Sequence, residues 1–295
     1  MPELPEVETV RRGLQELLVG RRISSIDCNW SKSFAAAGNQ SLIGAAFREI
    51  RRRGKLLMLE LDNEHTLLIH LKMTGQLVFV ADNGLRFGAG HPSDSLVDQL
   101  PDASTRVIFF LDDARLFFND QRKFGRIQLV ANQEVPADSF LQRLGPEPLG
   151  PDFSKAGFGK ALQRRSGTSI KAALLDQSVV AGIGNIYADE ALWKARIHPD
   201  RRAGSLSPAE LGRLFKAIPE VLQLSIDHGG SSDRNYVNAE GKRGAYLDFA
   251  AVFRRQGQSC PRCQSIIVKT RVAGRGTHLC PNCQRLFGST VGLKR

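Results

Sequence analysis

The chain has 295 residues, 42% of them hydrophobic, which allows two domains with real cores and excludes a disordered polypeptide. Its net charge is +11 and unevenly placed: residues 236–295 hold 11 Lys and Arg against 2 Asp and Glu, while the first 235 are near neutral. No run approaches the roughly 18 apolar residues of a membrane span, and a short basic segment rich in Gly and Cys points to a polyanionic partner more than to a solubilising tail.

The start, Met1-Pro2-Glu3-Leu4-Pro5-Glu6, carries acids and prolines where a secretory signal needs a cationic start and an apolar run, so a cytoplasmic protein is expected. Val7, Val10, Leu14, Leu17 and Leu18 recur at helical spacing and predict a helix from about Pro5 to Leu18. Pro5 suits its first turn, and Glu6 and Glu8 suit its positive end. Residues 1–4 become an extended lead-in. Short apolar runs follow at Leu56–Leu61, Thr66–Leu71, Gln76–Val80, Arg106–Leu111, Arg115–Phe118 and Arg126–Val130, the pattern of an antiparallel sandwich or barrel. Residues 81–104 read as a long loop. Beyond a Gly- and Pro-rich linker at 146–151 the pattern turns helical, at about 154–166, 169–177, 185–195 and 207–227. The reading is an α+β chain with a β-sandwich domain over 1–145, a helical domain over 152–258 containing a polar, Gly-rich loop at 229–244, and a hairpin over 259–295.

Cys260-Pro261-Arg262-Cys263 and Cys280-Pro281-Asn282-Cys283 lie 16 residues apart. Two such knuckles match tetrahedral coordination of one structural zinc ion by four thiolates, and in a reducing compartment this reading outweighs a redox dithiol or disulfides. A segment this small lacks a core of its own, so the metal is expected to stabilise it. Cys28 is left over and reads as a buried apolar residue. Lys269, Arg271 and Arg275 between the knuckles suit phosphate contacts, although a structural zinc module with a solvated basic face fits the same residues.

If Met1 is removed, Pro2 presents a secondary amine. Such an amine adds to a sugar C1′ and yields an iminium, an electron sink that promotes proton loss and β-elimination of phosphate. Glu3 stands next to it as a carboxylate for proton transfer. Proline near an amino terminus is common, and these two residues alone do not establish chemistry.

Several spaced motifs together carry a resemblance. Pro2-Glu3-Leu4-Pro5-Glu6-Val7-Glu8-Thr9-Val10, Gly54-Lys55-Leu56-Leu57, His70-Leu71-Lys72-Met73-Thr74-Gly75, Asn119-Asp120-Gln121-Arg122-Lys123-Phe124-Gly125, Gly182-Ile183-Gly184-Asn185-Ile186-Tyr187-Ala188, Tyr236-Val237-Asn238 and Gly274-Arg275-Gly276-Thr277 occur in the order found in formamidopyrimidine-DNA glycosylases. The chain resembles that family over its whole length. The resemblance implies a sandwich followed by a helix-two-turn-helix domain ending in a zinc hairpin, acting on damaged double-stranded DNA as a monomer. It implies Pro2 as the Schiff-base nucleophile, Glu3 as the acid/base that protonates the sugar ring oxygen, and Glu6 as a brace for the amino-terminal turn. By position alone Glu6 is equally a helix N-terminal charge.

Lys55 would sit near the lesion, although alone it reads as an exposed turn lysine. Met73, Arg122 and Phe124 look like the residues that fill the gap left by a flipped nucleotide; by composition alone Met73 and Phe124 read as core. Lys171 and Asn185 look like phosphate-binding positions, with a helix cap as the alternative for Asn185. Arg275 matches a finger arginine that contacts phosphates, and Arg234 and Tyr236 fall in the loop that closes over the extruded base. The sequence departs from the family pattern at Lys72, where Gly is usual, at Lys123, where Arg is usual, and at 102–106, which lacks a His-containing segment. The expected activity is excision of oxidised purines, 8-oxoguanine or its ring-opened form, followed by β,δ-elimination. An endonuclease VIII-like enzyme for oxidised pyrimidines usually begins Pro-Glu-Gly-Pro-Glu, and Leu4 argues against it. A non-catalytic zinc-finger DNA-binding protein accounts for the charge but not for Pro2, Glu3 and Lys55.

Overall fold

The computed structural model describes residues 1–91, 93–231 and 245–286. By internal contacts the chain divides into two compact units, Met1–Arg143 with Leu224–Leu247, and Leu144–Gln223 with Asp248–Arg295.

The first unit begins with helix α1 (Leu4–Leu18), which starts where Glu3 and Glu6 form a reciprocal capping box. The Glu3 backbone N–H donates to Glu6 Oε2 at 2.8 Å, and Pro5 occupies the first turn, where its missing N–H costs nothing. Nine strands follow: β1 (Ile23–Cys28), β2 (Phe47–Arg53), β3 (Leu56–Leu61), β4 (His65–His70), β5 (Gly75–Ala81), β6 (Arg86–Gly90), β7 (Thr105–Leu111), β8 (Ala114–Asp120) and β9 (Arg126–Ala131). They form two antiparallel sheets, ordered β1-β7-β8-β5-β6 and β2-β3-β4-β9.

Strand periodicity decides what each sheet buries. On β7, Val107, Phe109 and Leu111 enter the main core, while Ile108 packs with Val78 and Phe117 in a second cluster. The main core joins the apolar stripe of α1 (Val7, Val10, Leu14) to Leu77, Phe79 and Phe87 of one sheet and to Leu57, Leu59, Leu67 and Ile69 of the other. Each such side chain contributes about 1.5–3 kcal/mol of hydrophobic stabilisation.

All six expected strands are present, and three more were not foreseen. β1 and β2 were hidden because a register irregularity near the start of each sets their core residues three apart, Ile23 and Ile26 on one and Phe47 and Ile50 on the other, which breaks the alternation expected of a strand. β6 lies inside the segment expected to be a loop at 81–104, and its sequence, Arg-Phe-Gly-Ala-Gly, has little β-propensity. The reason is steric: at Gly90 φ is +126° and a Cβ would meet the Gly75 carbonyl oxygen at 2.5 Å, so the strand is glycine-rich where backbones approach.

Six further helices, α2 (Ser139–Gln142), α3 (Lys155–Gln163), α4 (Ile170–Leu175), α5 (Asn185–Ala195), α6 (Pro208–Asp227) and α7 (Tyr246–Phe249), precede the hairpin of β10 (Val268–Val272) and β11 (Arg275–Leu279). The division into units differs from the expected one in three ways. The zinc hairpin is part of the same unit as α3, α4 and α5 rather than a segment apart. The segment 146–151, expected as a linker, is tied down at its start, since Ala181 donates to the Pro146 carbonyl at 3.0 Å and Gly145 to that of Gln177 at 2.8 Å. Leu224–Leu247 groups with the first unit, because the Ser231 N–H and hydroxyl both donate to Glu6 Oε1 at 2.8 Å. Among the described residues no helix is long and apolar enough to cross a membrane.

Gly13 tests the packing of α1. Alanine normally stabilises a helix interior by up to about 1 kcal/mol over glycine. Here a Cβ would meet the buried Phe87 ring at 2.2–2.8 Å. Gly13→Ala is expected to lose about 1–3 kcal/mol by overpacking, measured by denaturant unfolding; a gain in stability would contradict this packing.

Candidate active site and nucleic-acid interface

In the first unit the site is built around the amino terminus. Pro2, Glu3 and Glu6 are buried. Burial lowers the pKa of the Met1 amine; the Glu3 and Glu6 carboxylates oppose this, and the Lys55 and Arg122 charges add to it. An amine at this place therefore lies among two acids and two bases contributed by separate elements.

Lys55 owes its position to the β2–β3 hairpin. Arg53 pairs with Leu56, which leaves Gly54-Lys55 as a two-residue turn, and Gly54 supplies φ +57°. Arg52 steadies the turn by bridging Glu8 on α1, at 3.1 Å, and the Gly54 carbonyl, at 2.9 Å. Lys55 is 5% exposed, not the solvated turn lysine that its sequence position alone suggests.

Met73, Arg122 and Phe124 sit on the β4–β5 and β8–β9 loops. Phe124 is 49% exposed and Met73 half-buried, so neither is a core residue as composition alone implied. The Arg122 guanidinium lies 4.8 Å from the Phe124 ring centroid, which holds the planar cation and the ring together. The residue that organises both loops is Asp120, which sequence reasoning missed. Its buried carboxylate accepts from the Thr74 hydroxyl, from the Arg122 N–H at 3.2 Å and from the Gly125 N–H at 2.6 Å. The only signal was its place inside the Asn119–Gly125 motif. His91 was also missed: burial and then the nearby amino terminus lower its pKa, and Asp120 opposes them.

Two of the three departures, Lys72 and Lys123, adopt left-handed backbone, with φ +51° and +57°. Glycine takes that conformation freely, and a lysine there is strained. Lys123 nevertheless packs its ammonium 4.1 Å from the Trp30 ring centroid.

In the second unit Lys171 departs from expectation. It is fully buried, and its ammonium donates to Asp189 Oδ1 at 2.7 Å, the Thr277 hydroxyl at 2.8 Å and the Gly276 carbonyl at 3.1 Å. Three donors engaged internally leave it no direct phosphate to hold; it instead ties α4 and α5 to strand β11. Asp189 also accepts from the His278 N–H at 2.9 Å. The adjacent Glu190 accepts from the N–H groups of Ala251, Val252 and Phe253 at 2.7–2.9 Å, and burial raises its pKa. Asn185 is not the cap of α5, which is Gly184; its amide donates to the Gly276 carbonyl at 3.0 Å. Arg275 is exposed at the start of β11, presented by the Ala273-Gly274 turn, whose residues both have positive φ. Arg234 and Tyr236, with the rest of 232–244, lie outside the described residues.

The ligating sulfurs of Cys260, Cys263, Cys280 and Cys283 all lie within 4.8 Å of one another, with Cys263–Cys280 at 3.4 Å and Cys260–Cys283 at 4.0 Å. A tetrahedron with Zn–S of about 2.3 Å has edges of about 3.8 Å, so four thiolates at these separations fit one zinc ion. The distances exclude disulfides, which need about 2.05 Å. Trp193 donates to Cys260 Sγ at 3.4 Å and the Cys283 N–H to Cys280 Sγ at 3.5 Å, which steadies the ligands.

Two outcomes follow from this geometry. Burial, then Lys72 and Lys55, push the His70 pKa down to about 3, and its Nδ1 accepts from the Lys72 N–H at 3.0 Å. The unfolded chain takes up a proton near pH 6.5 that the folded chain refuses until about 3, so stability falls as pH drops through that window, by at most about 1.4 kcal/mol per unit. Denaturant unfolding at several pH values should show a shallower acid loss for His70→Gln; parallel curves would contradict it. Chelating the zinc should abolish amide-exchange protection along β10–β11 while leaving β7–β8 protected; a hairpin that stays protected would mean the metal is dispensable.

Comparison with known proteins agrees with this arrangement. The family model of the formamidopyrimidine-DNA glycosylase N-terminal domain matches residues 1–127, that of the H2TH domain of the same glycosylase matches 144–236, and a zinc finger found in FPG and IleRS matches 257–286. A formamidopyrimidine-DNA glycosylase of Herpetosiphon aurantiacus is 46% identical over 294 residues, covering 96% of this chain and 100% of the relative. The Lactococcus lactis Fpg in complex with abasic-site DNA superposes with a TM-score of 0.85 at 35% identity, covering 96% of this chain and 100% of that one. A glycine-to-proline mutant of the Lactococcus lactis enzyme, bound to DNA containing Fapy-dG, gives the same TM-score and identity over 97% of this chain.

Proposed function

Because the chain belongs to the formamidopyrimidine-DNA glycosylase family, we propose that it excises oxidised purines from duplex DNA and then cuts the strand, acting as a cytoplasmic monomer. The observation that carries this reading is the amino-terminal turn, in which Pro2 and Glu3 are buried and the amine feels the charges of Glu3, Glu6, Lys55 and Arg122.

Removal of Met1 leaves the free amine on Pro2, which is buried one residue further along the same turn. A nucleophilic amine must be unprotonated; burial, Lys55 and Arg122 lower the pKa of the Met1 amine against the pull of Glu3 and Glu6, and the same surroundings favour a neutral Pro2. The Pro2 lone pair attacks C1′ of the extruded nucleotide as the C1′–base bond breaks, and the base leaves with a proton. Glu3 protonates the sugar ring oxygen, the ring opens, and Pro2 and C1′ become joined as an iminium. The Glu3 carboxylate left by that step takes a C2′ proton while the C–H bonding pair flows into the iminium, and the 3′ phosphate leaves by β-elimination; loss of a further proton, from C4′, expels the 5′ phosphate by δ-elimination. Hydrolysis frees Pro2.

The remaining residues serve the geometry. Met73, Arg122 and Phe124 occupy the stack that the flipped nucleotide vacates, and Arg122 hydrogen-bonds the orphaned cytosine. Filling that gap offsets the few kcal/mol that unstacking costs. Arg275 and Asn185 hold phosphates from the second unit, Lys55 holds the phosphate 3′ to the lesion, and Arg234 and Tyr236 belong to the segment over the extruded base. The zinc keeps the finger folded.

A strand-cutting assay on duplexes with 8-oxoguanine opposite C and with thymine glycol tests the reading. We expect preferential cutting of the 8-oxoguanine strand and a loss of at least about 100-fold in Glu3→Gln, the scale of a removed general acid, with DNA affinity kept. Preference for thymine glycol would favour the oxidised-pyrimidine activity, and binding without any cutting would leave a non-catalytic DNA-binding protein.

A further inference from the structure

A cavity of about 710 Å³ in the second unit lies where the end of α5, the start of α6 and the second cysteine knuckle meet. Four guanidiniums, Arg196, Arg201, Arg213 and Arg285, line it against one carboxylate, Glu210. The rest of the lining is hydroxyl and amide, with the zinc-ligating thiolate of Cys283 and no apolar side chain among the described residues. Glu210 neutralises Arg201, at 2.8 and 3.3 Å, and also accepts from the Ser207 N–H at 2.8 Å; the three other guanidiniums outnumber the single zinc-bound thiolate, so the cavity carries excess positive charge.

The placement of Arg196 is the second observation. It ends α5 in the left-handed conformation, φ +59°, with its N–H turned back to Leu192 and Trp193. That position suits glycine, and a long side chain is strained there. The strain is tolerated at a residue whose exposed guanidinium lines the cavity. Arg213 is held beside it by donating to the Ala195 carbonyl at 2.9 Å, and Arg285 is held by Asn282 at 2.8 and 3.2 Å.

We propose that this cavity is a second phosphate-binding site, which takes the backbone of the duplex flanking the lesion. The proposal rests on the DNA-repair reading above. Guanidiniums beside hydroxyl and amide donors match phosphate oxygens. A peptide partner draws most of its affinity from apolar or aromatic anchors, and the cavity offers them no contact. Asn185 starts the 11-residue helix that Arg196 ends, so the two are about 17 Å apart at about 1.5 Å per residue. The cavity is therefore too far from Asn185 to share a phosphate with it, and would take a different one.

The test uses the zinc-loaded full chain, Arg196→Gly with Arg285→Gln, and three duplexes carrying one abasic-site analogue. One has long arms on both sides; the other two are trimmed to about three base pairs on one side or the other. The double variant should bind the long duplex more weakly, with a salt slope smaller by about two, close to one for each lost phosphate contact. It should also be weaker on one trimmed duplex and match the parent on the other. Equal affinity and slope on all three would overturn the proposal, as would loss of zinc from the variant, which would make the guanidiniums counter-charges for the thiolates. Weakened binding of an acidic peptide with unchanged DNA binding would overturn it in favour of a protein partner. Failure of the DNA-repair reading looks different, since the parent would then fail to cut even a fully matched long substrate bearing the lesion.

Discussion

Glu6 sets the geometry on which the amino-terminal unit depends. A carboxylate that is 6% exposed is costly to bury unless its oxygens are filled, and here they are: one accepts from the Glu3 N–H, the other from the Ser231 N–H and hydroxyl, each at 2.8 Å. The first contact fixes the turn that introduces α1, and with it the direction in which residues 1–3 leave the helix. The other two tie the chain near residue 231 to the same turn. An amine at the amino terminus thereby acquires a fixed place, with Glu3 beside it and the Lys55 hairpin near enough for its charge to act. Without the carboxylate, two or three donors would be left buried and unpaired, and the lead-in would have no single conformation.

The second unit uses buried charge in the same way. Asp189 and Glu190 are consecutive on α5 and hold different segments: Asp189 holds Lys171 and the β11 backbone, and Glu190 holds three consecutive N–H groups at 251–253, just ahead of the finger. These networks register the hairpin and the segment before it on the helix. Zinc fixes the far end of the hairpin, and the tip that bears Arg275 is placed between the two constraints. The exposed arginine is thus positioned by residues that touch no solvent.

Much of this was legible in the sequence because the periodicities are strong. The α1 stripe, six of the strands, the α3–α6 helical pattern and the paired cysteines follow from spacing alone. What was hidden had physical causes. β6 is hidden because close backbone approach at Gly90 demands glycine, which reads as loop. The resemblance made Lys171 a phosphate-binding position, and nothing in the local sequence signals the aspartate 18 positions away that pairs with it in the interior. Asp120 and Glu190 looked like ordinary acids, since nothing local announces that their partners are backbone N–H groups of distant loops. The motif resemblance supplied what spacing could not, above all that Phe124 faces solvent although it is aromatic.

The central claim is that the nitrogen of residue 2 is the group that joins deoxyribose. Trapping the chain on abasic duplex with borohydride, then digesting it and sequencing the modified peptide by mass spectrometry, addresses that claim directly. Attack by the Pro2 nitrogen predicts a chain lacking Met1, with a reduced sugar adduct on Pro2. An active chain that keeps Met1, or an adduct carried by Lys55, would contradict it.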